Sequence, residues 1–173
     1  LAGVIIPLKF KLVPLVEFVN NIEFKPYPRD NPTHQCWPNW DNDYGWSEKY
    51  QELYEYIEKN TYPNDVPIAH FWFKRYEAGE WSGLHQEKFL PWIAEDDRKW
   101  WTTIILVEAS GDLVGGETVI AGDSIEGIRD KLTVSRLEEI GDSMSWNSET
   151  LHGLAEVTSG RRTVLVINKP EKI

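Results

Sequence analysis

The sequence predicts a mainly β protein, an antiparallel sandwich or barrel with a helix in front of it, and three observations carry that expectation. From His70 onward the chain falls into short runs rich in β-branched and aromatic residues: HFWFKRY, TTIILVE, ETVI, KLTVSRL, SMSWN and RTVLVIN. Gly and Asp clusters (AGE, SGDLVGG, AGD, SGR) separate these runs as turns. Helical segments are too few to supply the crossovers that parallel strands need.

Taken in order, the apolar opening from Leu1 to Val19 reads as a core strand or strands. Lys9, Lys11, Pro7 and Pro14 interrupt it well short of the roughly 20 apolar residues of a membrane-crossing helix, so no membrane association is expected. Asn31 to Trp46 (NPTHQCWPNWDNDYGW) reads as an irregular loop. Glu48 to Asn60 reads as a helix capped by Ser47, with Tyr50, Leu53, Tyr54 and Ile57 on one apolar face. The strands follow, and Asp123 to Ile140 divides into a helical turn at IEGIRDK and a strand at LTVSRL. No repeat, Gly/Ser linker or low-complexity tract divides the chain, so residues 1–173 read as one domain.

Composition narrows the function. With 41% apolar residues and nine tryptophans the 173-residue chain has ample core material and is not disordered. A net charge of −10 argues against nucleic acid, whose phosphates need a basic stripe. Cys36 has no second cysteine to pair with, which excludes an intramolecular disulfide and favours a reducing, cytoplasmic setting. The chain starts at Leu1 rather than methionine, which leaves a removed targeting segment open. Oligomeric state leaves no signal.

His85 and Glu87 stand two positions apart after a strand-like run, and in extended chain such residues share a face. His152 lies far along the chain just before another strand, as expected of neighbouring barrel strands. Two imidazoles and a carboxylate form the facial triad of non-haem Fe(II), with zinc as the rival metal. Arg162 favours iron. In GRRTVLVI, Arg162, Val164 and Val166 share one face, so a guanidinium enters an apolar interior and requires an anion. A dicarboxylic co-substrate chelating iron at one end would offer its far carboxylate there.

From about Phe71 to Asn168 the chain resembles the Fe(II)/2-oxoglutarate-dependent dioxygenases, in their prolyl 4-hydroxylase-like branch. The resemblance rests on RYEAGE, HQE, WTTIILVE, GGET, GDSMSW, LHG and SGRRTVLVI in that order. It implies a double-stranded β-helix (jelly-roll) barrel in which His85, Glu87 and His152 hold Fe(II) and Arg162 holds 2-oxoglutarate, with Tyr76 and Thr102 assisting; a one-residue shift would exchange Thr102 for Thr103. It further implies O₂ as oxidant, ascorbate as stimulant, release of succinate and CO₂, and hydroxylation of a C–H bond. The substrate implied is a prolyl or other side chain of a peptide or protein, or alternatively a free amino acid or other small molecule. Two departures stand out: Glu87 where aspartate is commoner, and Asn168 where many relatives place an aromatic.

Plainer readings apply to other residues. Arg161 reads as a surface ion-pair partner, His70 as a core or rim histidine, and His34 and Cys36 as loop residues. The tryptophans read as core, with some able to form an aromatic substrate wall. The rival for the whole chain is a non-catalytic metal-binding barrel.

Overall fold

The computed structural model describes residues 4–7, 13–26, 33–36, 46–122, 133–135 and 137–172. The N-terminal part contributes β1 (Val4–Pro7), α1 (Val13–Asn21), β2 (Lys25–Pro26), β3 (His34–Cys36), α2 (Trp46–Lys49) and α3 (Gln51–Asn60). Then come β4 (His70–Glu77), β5 (Ser82–His85), a 3₁₀ turn (Glu87–Phe89), α4 (Pro91–Ala94), β6 (Trp100–Ala109), β7 (Val114–Gly115) and β8 (Thr118–Gly122). The chain finishes with β9 (Thr133–Ser135), β10 (Asp142–Asn147), β11 (Leu151–Leu154), β12 (Val157–Ser159) and β13 (Arg161–Pro170).

These strands form a seven-stranded sheet, in the order β1-β10-β6-β13-β4-β3-β2, a four-stranded sheet, β5-β11-β8-β9, and a two-stranded one, β12-β7. All pairings are antiparallel, and the architecture is the jelly-roll expected from the sequence. The large sheet is buried on both faces, which explains the near-continuous apolar runs of β6 and β13. Its outer face, with Phe71, Phe73, Ile105, Val107, Leu165 and Ile167, packs against Leu15, Phe18 and Val19 of α1 and Leu53 and Ile57 of α3. Its inner face, with Trp72, Tyr76, Ile104, Leu106, Val164 and Val166, meets Ile120 and Leu154 of the small sheet. The alternation read in β13 therefore holds.

Three local expectations need correction. Among the described residues the opening is a strand at Val4–Pro7, but from Val13 it is a helix, because Leu15, Phe18 and Val19 recur at helical spacing. The expected loop contains strand β3, whose backbone pairs with β4. Ser47 does not cap the main helix: it lies inside α2, and α3 starts after Tyr50 without a side-chain cap. The strand expected in LTVSRL is present as β9, whereas the helical turn at IEGIRDK lies outside the described residues.

Two features brace the barrel at opposite ends. The β7–β8 turn requires Gly115, whose φ is +80° and whose absent Cβ would fall 2.1 Å from the Glu156 carbonyl oxygen. At the other end of β13, the fully buried Lys169 donates from Nζ to the carbonyls of Glu58, Thr61 and Pro63, tying the end of α3 to the sheet. Lys169→Met is expected to lower folding stability by roughly 2–4 kcal/mol, since two buried carbonyls and a partly buried one lose their donor. Urea unfolding measures this, and an unchanged midpoint would refute it.

Candidate active site

Between the two sheets lies an open cleft lined by side chains from both of them. His85 ends β5 and His152 lies within β11, where their backbones are direct partners across the sheet. Close approach of these strands depends on Gly153, because a Cβ there would sit 2.7 Å from the Ser82 carbonyl oxygen. Glu87 is not in extended chain. Gln86 is extended (φ −125°, ψ 136°), and Glu87 then opens the 3₁₀ turn, which still brings its carboxylate to the two rings. His152 likewise sits inside a strand rather than just before one.

The three ligand atoms lie within 4.8 Å of one another. Glu87 Oε2 is 3.1 Å from His152 Nε2, and Oε1 is 3.8 Å from His85 Nε2. Each imidazole directs Nδ1 at a backbone carbonyl, His85 to Gly83 at 2.8 Å and His152 to Thr150 at 2.9 Å. Those contacts place the ring proton on Nδ1 and leave the Nε2 lone pairs facing a buried carboxylate. Lone pairs so opposed require a proton or a metal cation between them, so the donor set fits a divalent metal. Burial alone would raise the Glu87 carboxyl, but the adjoining His152 and His85 outweigh it and hold it well below the usual carboxylate range.

At the other end of the cleft Arg162 is 2% exposed. Its Nη2 donates to Thr118 Oγ1 at 3.1 Å, while Nη1 is buried with no acceptor among the described residues. Burial depresses its pKa to about 10, against the opposing pull of Tyr76 and Glu117. No carboxylate of the described residues lies within 4 Å of it, so a bound anion would complete it. Thr118 stands two residues from Ile120, the partner of His152, so about 7 Å of strand separates the two centres.

Tyr76, 4% exposed and directly across from Arg162, lines the same end. Thr102 also lines the cleft, whereas the Thr103 hydroxyl bonds Ser145 at 2.7 Å. The register nevertheless sets Thr102 opposite Asn168, at the far end of β13, about 20 Å of strand from Arg162. The hydroxyl at Arg162 belongs to Thr118, which the sequence offered only as part of the GGET turn. Asn168, in place of an aromatic, donates to Thr102 Oγ1 at 2.9 Å and accepts from the Trp92 indole at 3.4 Å. Sequence reading also missed Lys74, which lines the cleft and shares Tyr76's face by alternation.

The remaining candidates fall outside the triad. His70 packs 4.6 Å from the Trp92 ring, and burial lowers its pKa. His34 pairs with Glu80 at 3.0 Å and Cys36 is buried. Arg161 pairs with Glu108 at 2.6 Å on the outer side of the sheet.

No family model matches the sequence, and no curated protein matches it. Structural comparison does find relatives. A 2OG-Fe(II) oxygenase family oxidoreductase from Burkholderia pseudomallei aligns with a TM-score of 0.68 over 97% of this chain and 85% of its own, at 12% identity. The chain has the fold of the 2OG-Fe(II) oxygenases. A Pseudomonas putida prolyl-4-hydroxylase aligns over 99% and 94% of the two chains (TM-score 0.61, 13% identity). A Trichoplax adhaerens prolyl hydroxylase, in complex with a peptide fragment of hypoxia inducible factor, aligns over 96% and 83% (TM-score 0.62, 12% identity). Within this fold no helix of the described residues is long and apolar enough to cross a membrane.

Proposed function

We propose that the protein is an Fe(II)- and 2-oxoglutarate-dependent dioxygenase that hydroxylates an unactivated C–H bond and releases succinate and CO₂. The observation that carries this reading is the pairing, in one cleft, of the His85/Glu87/His152 cluster with a buried Arg162 whose Nη1 has no partner among the described residues. Iron held by the three side chains would supply dioxygen activation coupled to oxidative decarboxylation of the keto acid. Arg162 and the Thr118 hydroxyl orient the distal carboxylate, with Tyr76 beside them. The carbonyls of Gly83 and Thr150 fix the imidazoles with Nε2 inward. Ile104, Leu154, Val164 and Val166 supply apolar walls to the cleft beside these groups.

We assign the prime substrate to a side chain of a peptide or protein, with proline first. Two of the fold relatives above are prolyl hydroxylases, one of them with a bound peptide. Purified protein given Fe(II), 2-oxoglutarate, ascorbate and O₂ is expected to form succinate slowly alone and faster with a proline-containing peptide that gains one oxygen by mass spectrometry. No succinate under any of these conditions would instead favour a metal-binding module.

A further inference from the structure

Lys74 occupies a position where a lysine needs an explanation. Strand β4 sends Phe71 and Phe73 to the helix-covered face and Trp72 and Tyr76 to the inner face. Alternation places Lys74 between the latter two, and it lines the cleft. Its backbone partner is Val164, one inward-facing position along β13 from Arg162. Among the described residues no carboxylate lies within 4 Å of its ammonium and no hydrogen-bond acceptor meets it. Lys74 is partly buried rather than enclosed, and an ammonium aimed into a cleft with no partner of its own is placed to receive an anion bound there.

The spacing indicates which anion. Arg162 lies opposite Tyr76, and Lys74 is a single two-residue step from Tyr76, so about 7 Å along the strand separates the two cationic positions. The two positions are diagonal neighbours on adjacent strands, so their long side chains can approach opposite ends of one short diacid. The Arg162 end already has Thr118 and Tyr76 around it, whereas Lys74 stands nearer the middle of the cleft.

Resting on the co-substrate reading above, we infer that Lys74 is a second anion-binding residue, gripping the keto-acid carboxylate of 2-oxoglutarate while Arg162 grips the distal one. The test is calorimetric titration of Fe(II)-loaded protein without oxygen, using 2-oxoglutarate and 2-oxobutyrate, which keeps the keto-acid end and lacks the far carboxylate. Lys74→Met is expected to weaken both ligands about tenfold, and Lys74→Arg to retain most of the affinity. Arg162→Met is expected to weaken 2-oxoglutarate alone. Lys74→Gln serves equally should the apolar variant fail to fold. Wild-type affinity for 2-oxobutyrate in the Lys74 variants would overturn the inference and leave the functional reading standing. Failure of the unaltered protein to bind either ligand would overturn both.

Discussion

Replacing Arg162 with Ala is expected to weaken 2-oxoglutarate binding by roughly 1.5–3 kcal/mol, the range for hydrogen bonds to charged groups, or about 10- to 150-fold. The guanidinium is 2% exposed, bonds one neutral hydroxyl and leaves Nη1 without a partner among the described residues. It therefore contributes little to the unliganded fold and awaits an anion. Arg162→Met, which fills the same volume without charge, separates the two roles. Its unfolding midpoint is expected to match or exceed that of the unaltered protein, because the cost of burying the cation disappears while the affinity loss remains. Calorimetry and thermal melts together check this; an unchanged affinity would remove Arg162 from the site.

His152→Ala is expected to abolish stoichiometric iron binding. His152 is buried, lies 3.1 Å from Glu87 and is oriented by the Thr150 carbonyl, whereas the His85 side chain is 37% exposed and lies 3.8 Å from Glu87. Removing the more enclosed imidazole leaves two ligands, one of them open to water, and a buried carboxylate without its nearest partner. Metal analysis after dialysis against Fe(II) would read below about one-tenth of an equivalent, given that even outer-shell changes cost 10–100-fold in metal affinity. A full equivalent of retained iron would mean that the metal sits elsewhere.

Where the sequence was legible, one physical signal dominated. The long strands β4, β6 and β13 announce themselves because a sheet covered on both sides demands uninterrupted apolar residues. His85, Glu87, His152 and Arg162, which share one cleft, could be singled out because side chains of this chemistry stood among strand signals in a specific order. The misses share another cause, tertiary contacts that override local preference. Pro14 disguised α1, whose helical face acquires meaning only against Phe73 of the sheet. The polar sequence around His34 gains strand structure only because the edge of β4 is available to pair. Thr118 looked like turn chemistry until β8 placed its hydroxyl on Arg162. Lys74 shares a face with Tyr76 by alternation, but a lysine in a strand is ordinarily assigned to solvent.

The placement of β5 at the margin of the four-stranded sheet has a mechanical consequence. A peripheral strand held by few backbone bonds on one side is normally the first to peel away. Here that strand carries His85, runs into the turn with Glu87 and faces His152. A bound ion would rivet the strand to its neighbour and close a long chain loop, as a cystine bridge does in secreted proteins. A chain with a single cysteine would thus gain its cross-link from the same atom that would give it reactivity.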